Sequence, residues 1–143
     1  MAEYGIREIS EIFHLPSSTL RYYEEIGILT NIARTSSGQR IFTDAHVNRL
    51  KTICCFKNTG MTIAQLKSFF IYESAEQEHI DDIISLLNAQ KEYTVEQINQ
   101  LQSDYAHILR KLHYYGDIKK SLEANQPLPD WKDYKYKSFF KTK

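Results

Sequence analysis

The sequence predicts a mainly α-helical protein, with an N-terminal winged helix-turn-helix followed by a long dimerisation helix of the coiled-coil type. The first observation is a short amphipathic helix, a Pro-Ser-Ser turn and then the run TLRYYE at 19–24. The second is a glycine-centred turn, RTSSGQR, at 34–40. The third is a seven-residue apolar repeat that begins at Ile80. We expect a winged domain over 1–75, the long helix over 76–116 and a basic, aromatic tail over 117–143.

The first two predicted helices form the helix-turn-helix. Ile6, Ile9, Ile12 and Phe13 recur at helical spacing and give a first helix of about two turns. Pro16 and the serines after it end the first helix and begin a second one, since serine hydroxyls can cap the amides of a new helix. The second helix places Leu20 and Tyr23 inward and Arg21 and Tyr22 outward, and Gly27 closes it.

A hairpin and two further helices complete the winged domain. Ser37-Gly38 is a turn signal between short arms, which predicts a hairpin over 32–42. Thr43 caps a third helix that ends at 58–60, and Thr62 caps a fourth. These boundaries predict a compact unit with the hairpin as its wing.

The long helix is predicted from alternating steps of four and three residues between Ile80 and Tyr115. Nine of the eleven positions reached by these steps are apolar or Tyr, and no Pro or Gly interrupts them. A helix of about 36 residues is about 54 Å long, which is too long to lie on a domain of this size. Its apolar stripe therefore predicts pairing with the same helix of a second chain, to form a homodimer. Folding back onto its own domain is the alternative.

The tail mixes aromatic and basic residues behind two helix-breaking prolines, Pro127 and Pro129. Its aromatic residues could stack on nucleic acid, but packing onto the dimer with the lysines in solvent is the expected arrangement. Residues 140–143 of this tail are FKTK.

Bulk charge alone does not indicate a polyanion-binding protein. Lys and Arg number 18 and Asp and Glu number 18, so the formal net charge is zero. Residues 1–60 hold seven basic against six acidic side chains, and residues 61–90 hold one against five. Any affinity for DNA must therefore come from the local placement of basic side chains.

Other features predict a soluble cytoplasmic protein with reduced thiols. The amino terminus has no apolar run of the signal-peptide type, and no stretch reaches the ~18 apolar residues of a membrane span. The two cysteines are adjacent at 54 and 55, which is no disulfide framework. A phosphate loop, a nucleophile elbow and a usable Cys-His pair are all missing, so we expect neither an enzyme nor a cofactor.

With these segments in order, the chain resembles the MerR family of bacterial transcription regulators. The motifs that carry the resemblance are 4–9, 19–24, 27–29, 34–35 with Gly38 and Arg40, 60–62 and 66–67. Two positions depart from the family pattern: Gln39 stands where many relatives have a wing Tyr, and Pro16 where a Ser is common. The resemblance implies a dimer on a promoter whose −35 and −10 elements are too far apart, and a signal-dependent distortion that lets RNA polymerase engage both.

The residues that we expect to meet DNA lie on the second helix, the wing and the third helix. Arg21 can bond a guanine edge or a phosphate pair, and the Tyr22 hydroxyl can bond a phosphate. Arg34 and Arg40 flank the wing and should straddle a neighbouring stretch of backbone. The full set of expected DNA-binding residues is Ser17, Ser18, Thr19, Arg21, Tyr22, Arg34, Arg40 and Lys57. For each of them the alternative is a solvated surface group.

Two copies paired through their helices predict a palindromic operator with two major-groove half-sites. An inducer-independent DNA-bending protein and a coiled-coil adaptor without DNA contacts are the rival classes.

The expected effector-sensing residue is Cys55. It falls where the aldehyde- and thiol-stress-responsive branch of the family (NmlR/AdhR-like) keeps its single cysteine, and Lys51 is one helical turn away. The alternative is that Cys55 is a small buried hydrophobic residue. A metal-responsive regulator is a further alternative, since His79 and His113 lie near opposite ends of the long helix and could share a zinc ion across an antiparallel dimer. No third ligand accompanies them, so no metal site is assigned.

Overall fold

A computed structural model of the protein describes residues 2–139, and it confirms the predicted fold class. The elements are, in chain order, β1 (Glu3–Tyr4), α1 (Ile6–Phe13), α2 (Ser17–Glu25), β2 (Ala33–Arg34), β3 (Arg40–Thr43), α3 (Asp44–Asn58), α4 (Ile63–Glu73) and α5 (Ile80–Glu123), with a 3-10 turn at Trp131–Asp133. By its internal contacts the chain divides into two compact units, an N-terminal unit that ends at Gln90 and a C-terminal unit that begins at Lys91.

Helix ends in the N-terminal unit follow the local chemistry of the sequence. His14 ends α1 in the left-handed conformation, with φ 53°, and Gly27 follows α2 with φ 85°. Thr62 caps α4 as predicted, because its hydroxyl accepts from the Gln65 amide at 3.1 Å. The start of α2 differs from the prediction. Pro16 occupies the capping position and makes no side-chain cap hydrogen bond, so the serines are the first helical residues rather than the cap.

The wing is the hairpin of β2 and β3, and β1 pairs with β3 to complete a small antiparallel sheet with strand order β1-β3-β2. Phe42 of β3 pairs with Tyr4 of β1 and is fully buried, so the central strand joins the wing to the core. Around it pack the buried apolar residues of the helices and of the turns that follow α2 and α3, which are Ile9, Leu20, Tyr23, Ile28, Leu29, Leu50, Ile53, Met61, Leu66, Phe69 and Phe70. The first turns of α5 add Ile83 and Leu86 to the edge of this core. The four helices and the wing are therefore held as one body.

The C-terminal unit consists of the rest of α5 and the chain that folds back on it. Trp131 lies 5.4 Å from the Tyr114 ring between centroids, and the Lys111 ammonium lies 3.8 Å from the Trp131 ring centroid. The Tyr134 hydroxyl donates to Asp117 at 2.6 Å. Trp131 and Tyr134 of the tail thus pack against α5 of their own chain, while Lys132 and Lys135 are exposed to solvent.

The predicted end of the long helix at Gly116 is wrong, because α5 continues to Glu123 and residues 117–123 of the predicted tail are helical. A glycine in a helix costs only about 1 kcal/mol relative to alanine, and the contacts of Tyr114 and Asp117 with the tail lie on either side of it. The helix ends before Asn125, which has φ 52°, and Pro127. Phe140 and the residues after it lie outside the described residues.

Among residues 2–139, no helix has both the length and the apolar character that crossing a bilayer requires.

Candidate nucleic-acid interface

The recognition surface begins on α2, whose two faces have opposite character. Leu20 is fully buried and Tyr23 nearly so, while Arg21 and Tyr22 are exposed on the other face. Burial raises the pKa of Tyr23, as expected for a phenol whose charged form is desolvated. The apolar pair fixes how α2 sits on the core, and that orientation sends Arg21 and Tyr22 into solvent.

At its start α2 presents polar groups that the helix itself does not use. The Thr19 amide bonds the Pro16 carbonyl at 3.0 Å, so the amides of Ser17 and Ser18 precede the first hydrogen bond of this helix. Ser18 is exposed, while Ser17 and Thr19 are half-buried. Amides and hydroxyls at a helix start suit an anion such as a phosphate.

The tip of the wing is organised by Thr35. Its amide donates to the Gln39 carbonyl at 2.8 Å, and its hydroxyl accepts from the Gln39 amide at 3.1 Å. Gly38 adopts φ 86°, a conformation that glycine tolerates best, and its carbonyl accepts from Arg34 Nη1 at 3.0 Å. These three hydrogen bonds therefore hold the turn together, and the side chain of Gln39 is left exposed.

Glu24 of α2 joins the recognition helix to the wing. Its Oε1 accepts from Arg40 Nε at 2.6 Å and lies 3.5 Å from Arg34 Nη2. The side chains of Arg40 and Glu24 are only 21% and 25% exposed, whereas that of Arg34 is 45% exposed. Water therefore screens the Glu24–Arg40 ion pair less than the Glu24–Arg34 ion pair. One carboxylate thus positions both wing arginines that the sequence singled out.

Arg21 and Arg40 come together across an open groove of about 440 Å³ between α2, the start of α1 and the wing. Arg34 is linked to the same groove through Glu24 and Gly38. Lys57 lies in the last turn of α3 and is not among the residues that line the groove. The geometry therefore places two of the three expected arginines, Arg21 and Arg40, on the groove, connects Arg34 to them through Glu24, and leaves Lys57 on a separate element.

Sequence reasoning missed Glu24 and Arg7. Glu24 belongs to the TLRYYE run, but its pairing with residues 10 and 16 positions later depends on how the wing folds back. Arg7 lines the groove beside Arg21, although the pattern of α1 marked it only as a solvent-facing charge. The available signal for Arg7 was its place in the first turn of a helix, where a cation is unfavourable.

The two cysteines differ in environment. Cys55 is exposed, whereas Cys54 is half-buried and burial raises its pKa. The Cys55 side chain is thus not the buried hydrophobic residue that the sequence left open as an alternative. His79 bonds Asp82 through Nδ1 at 3.1 Å, and His113 stacks on Phe139. Within the described range, groups of three or more His, Cys, Asp or Glu able to hold a metal do not occur.

Comparison with known proteins identifies the family. The family described as "MerR HTH family regulatory protein" matches residues 4–70. An uncharacterized HTH-type transcriptional regulator of Haemophilus influenzae is 30% identical over 116 residues, which cover 81% of this chain and 86% of that protein. The chain belongs to the MerR family. It is therefore a DNA-binding transcription regulator and not an enzyme.

Solved structures agree with this MerR assignment. The chain is 29% identical to HiNmlR, described as a MerR family regulator lacking the sensor domain and crystallised with promoter DNA; the match covers 90% of this chain and 100% of HiNmlR, with a TM-score of 0.77. A MerR family regulator from Bacillus thuringiensis is 28% identical over 78% of this chain and 98% of its own, with a TM-score of 0.68. The contact of each named residue of this chain with DNA remains a prediction.

Proposed function

We propose that this MerR regulator binds a palindromic promoter operator as a homodimer and distorts the spacer DNA in response to an electrophile that reacts with Cys55. The observation that carries the proposal is the pairing of an exposed Arg21 and Tyr22 with a wing that Glu24 fixes beside them. Two such units on one duplex would let RNA polymerase engage promoter elements that are otherwise badly spaced. Distortion of this kind costs about 1–6 kcal/mol, which a signal can supply or withhold.

The exposed face of α5 supports the homodimer. No residue of this 44-residue helix is buried. Apolar side chains at the repeat positions are open to solvent, as in Ile84 at 50%, Leu101 at 67% and Leu112 at 67%. A stripe of this length and period is typical of a helix that pairs with a helix of the same length, and a second copy supplies one.

The groups on α2 and the wing have distinct expected roles on DNA. Tyr22 and the start of α2, with Ser17, Ser18 and Thr19, would bond phosphates and fix register. Arg21 would bond a guanine edge or a phosphate of a half-site, and Arg34 and Arg40 would hold the neighbouring backbone. Lys57 would add a separate phosphate contact from α3.

A thiol sensor at Cys55 is supported by its exposure and by a partial likeness. The HTH-type regulator AdhR of Bacillus subtilis is 32% identical over 62 residues, which cover 43% of this chain and 44% of AdhR. An aldehyde would react by forming a bond between the Cys55 sulfur and the carbonyl carbon, while the carbonyl oxygen takes up the thiol proton. The product is a neutral hemithioacetal, bulkier than the thiol that it replaces.

A chain of hydrogen bonds leads from Cys55 to α5 within the N-terminal unit. The Cys55 carbonyl accepts from the Thr59 amide at 3.2 Å, in the last turn of α3. Gln90 of α5 donates through Nε2 to both the carbonyl and the hydroxyl of Thr59, each at 3.0 Å. An adduct that disturbs this last turn would therefore act on the point where α3 is tied to the dimer helix.

The test is a promoter reporter assay with formaldehyde, repeated for Cys55→Ala and for the matched control Cys54→Ala. We expect wild type and Cys54→Ala to respond and Cys55→Ala to bind the operator but not respond. A footprint should show hypersensitive central base pairs only after treatment. A normal response of Cys55→Ala would exclude the sensor. A spacer distorted equally with and without formaldehyde would instead favour an inducer-independent bending protein.

A further inference from the structure

The groove beside the wing has an excess of positive charge that the described structure does not neutralise. Its walls include Arg7 from the first turn of α1, Arg21 from α2 and Arg40 from β3. Arg40 is paired with Glu24. Within residues 2–139, neither Arg7 nor Arg21 takes part in an ion pair, although the chain as a whole carries no net charge.

The position of Arg7 is unfavourable for the helix that carries it. A cation in the first turn opposes the positive end of the helix dipole, where acidic side chains such as Glu8 are preferred. Arg7 is also exposed, so it contributes no buried packing to the core. An anion bound in the groove would offset this unfavourable interaction with the helix dipole.

We propose that this groove is the seat of one backbone phosphate of the operator, held jointly by Arg7 and Arg21. The guanidinium group is suited to this task because its planar fork can bond two phosphate oxygens at once. Gly5 and Gly38 form part of the rim and add no side chain that would narrow the entrance. The inference rests on the proposed function and adds a contact, Arg7, that neither the α2 motif nor the wing motif contains.

A phosphate seat at this place would fix the angle between the helix-turn-helix and the wing on the duplex. Arg7 comes from the element before α2, and Arg40 comes from the wing after it. A single phosphate held by Arg7 and Arg21, with Arg40 lining the same groove, would tie both parts of the domain to the same point of the DNA backbone. Arg7 is thus a positioning contact that increases affinity for every operator sequence equally.

The first experiment measures operator affinity as a function of salt for Arg7→Gln. Each phosphate contact contributes about 0.9 to the slope of log K against log salt, so loss of one contact per copy should reduce the slope by about 2 per dimer. Affinity at 0.15 M salt should fall by about tenfold or more, by the same factor for every half-site variant. Lys119→Gln, which removes one exposed positive charge from α5, is the control and should leave the slope unchanged.

The second experiment uses operators that carry a single neutral methylphosphonate, scanned along each half-site. At the phosphate that Arg7 holds, the methylphosphonate should weaken wild type about as much as Arg7→Gln does, and should weaken Arg7→Gln little further. At every other phosphate of the operator, the fold-loss in affinity caused by the methylphosphonate and the fold-loss caused by Arg7→Gln should multiply. Arg7→Lys should restore the salt slope but only part of the affinity, since it keeps the charge and loses the fork.

Failure of this inference is separable from failure of the proposed function. If wild type binds the operator with steep salt dependence and Arg7→Gln has the same affinity and slope, the seat is excluded and the regulator is not. If wild type does not bind the operator, both the phosphate contact of Arg7 and the proposed function are contradicted. Inorganic phosphate at constant ionic strength separates a free-anion site from a DNA contact. Stabilisation of wild type by phosphate that Arg7→Gln abolishes, with DNA affinity unchanged, would overturn the proposal.

Discussion

The two compact units of this chain differ in where their apolar side chains go. In the N-terminal unit Phe42, Leu50 and Leu66 are completely buried, and the helices and wing enclose them. In the C-terminal unit α5 has no buried residue, and Leu101 and Leu112 each retain 67% of their exposure. The first unit can be stabilised by its own core. The second has an apolar stripe that only another surface can cover, and we assign that surface to a second copy of the chain.

Removing a core side chain tests the first half of this comparison and should have the largest effect. Leu50→Ala leaves a cavity under α3, and we expect the free energy of unfolding to fall by about 2–5 kcal/mol. Ile12→Ala is the control, because Ile12 is 50% exposed and its loss should cost much less. Urea denaturation followed by circular dichroism measures both. Similar losses for the two variants would show that the core is not where the structure places it.

Releasing the wing from α2 should have the next largest effect, on DNA binding rather than on folding. Glu24→Gln removes the carboxylate that holds Arg40 and Arg34, and we expect operator affinity to fall by about tenfold. Loss of a negative charge would by itself raise affinity for DNA, so a fall identifies positioning as the cause.

The neighbouring Glu25→Gln makes the same change in charge at an exposed position of α2. It should leave affinity unchanged or slightly raised in the same titration. Equal behaviour of the two variants would remove Glu24 from its positioning role.

The smallest expected effect concerns the tail of the C-terminal unit. The hydrogen bond to Asp117 raises the pKa of Tyr134 to about 12, with smaller contributions from burial and from nearby carboxylates. Because the folded pKa lies above the ordinary value of about 10, the contribution of this bond is complete below pH ~10 and is lost as pH rises through about 12.

Trp131 is the sole tryptophan of the chain and packs against Tyr114, so its emission reports on this docking. We expect the emission to change between pH ~10 and ~12 in wild type. In Tyr134→Phe this transition should be absent and the tail less firmly docked at neutral pH. An identical pH profile for the two proteins would exclude the Tyr134–Asp117 bond as its source.

Elements that depend on local chemistry were predictable from the sequence, whereas contacts between distant segments were not. The Thr62 cap, the φ of Gly27 and the Gly38 turn each depend on neighbours within a few residues. The strand β1 has only two residues, and its partner in β3 lies about forty positions later, so no local pattern marks it.

The candidate DNA-binding site was likewise predictable only where local residue patterns carry the information. Arg21 and Arg40 could be named from their motifs, because residue type and spacing carry that information. The role of Glu24 and the approach of Arg7 to Arg21 arise only when the wing and α1 fold against α2. The extension of α5 beyond Gly116 likewise reflects packing of the tail, which outweighs the low helix propensity of glycine.

The central claim is that two copies pair through α5 and thereby present two recognition surfaces to one operator. Sedimentation equilibrium of Leu101→Lys, against wild type and the matched polar-face control Ser103→Lys, tests it most directly. We predict that wild type and Ser103→Lys are dimers that bind one palindrome per dimer. Leu101→Lys should be a folded monomer that loses specific operator binding. A monomeric wild type, or a Leu101→Lys variant that remains dimeric at the same concentration, would contradict the account.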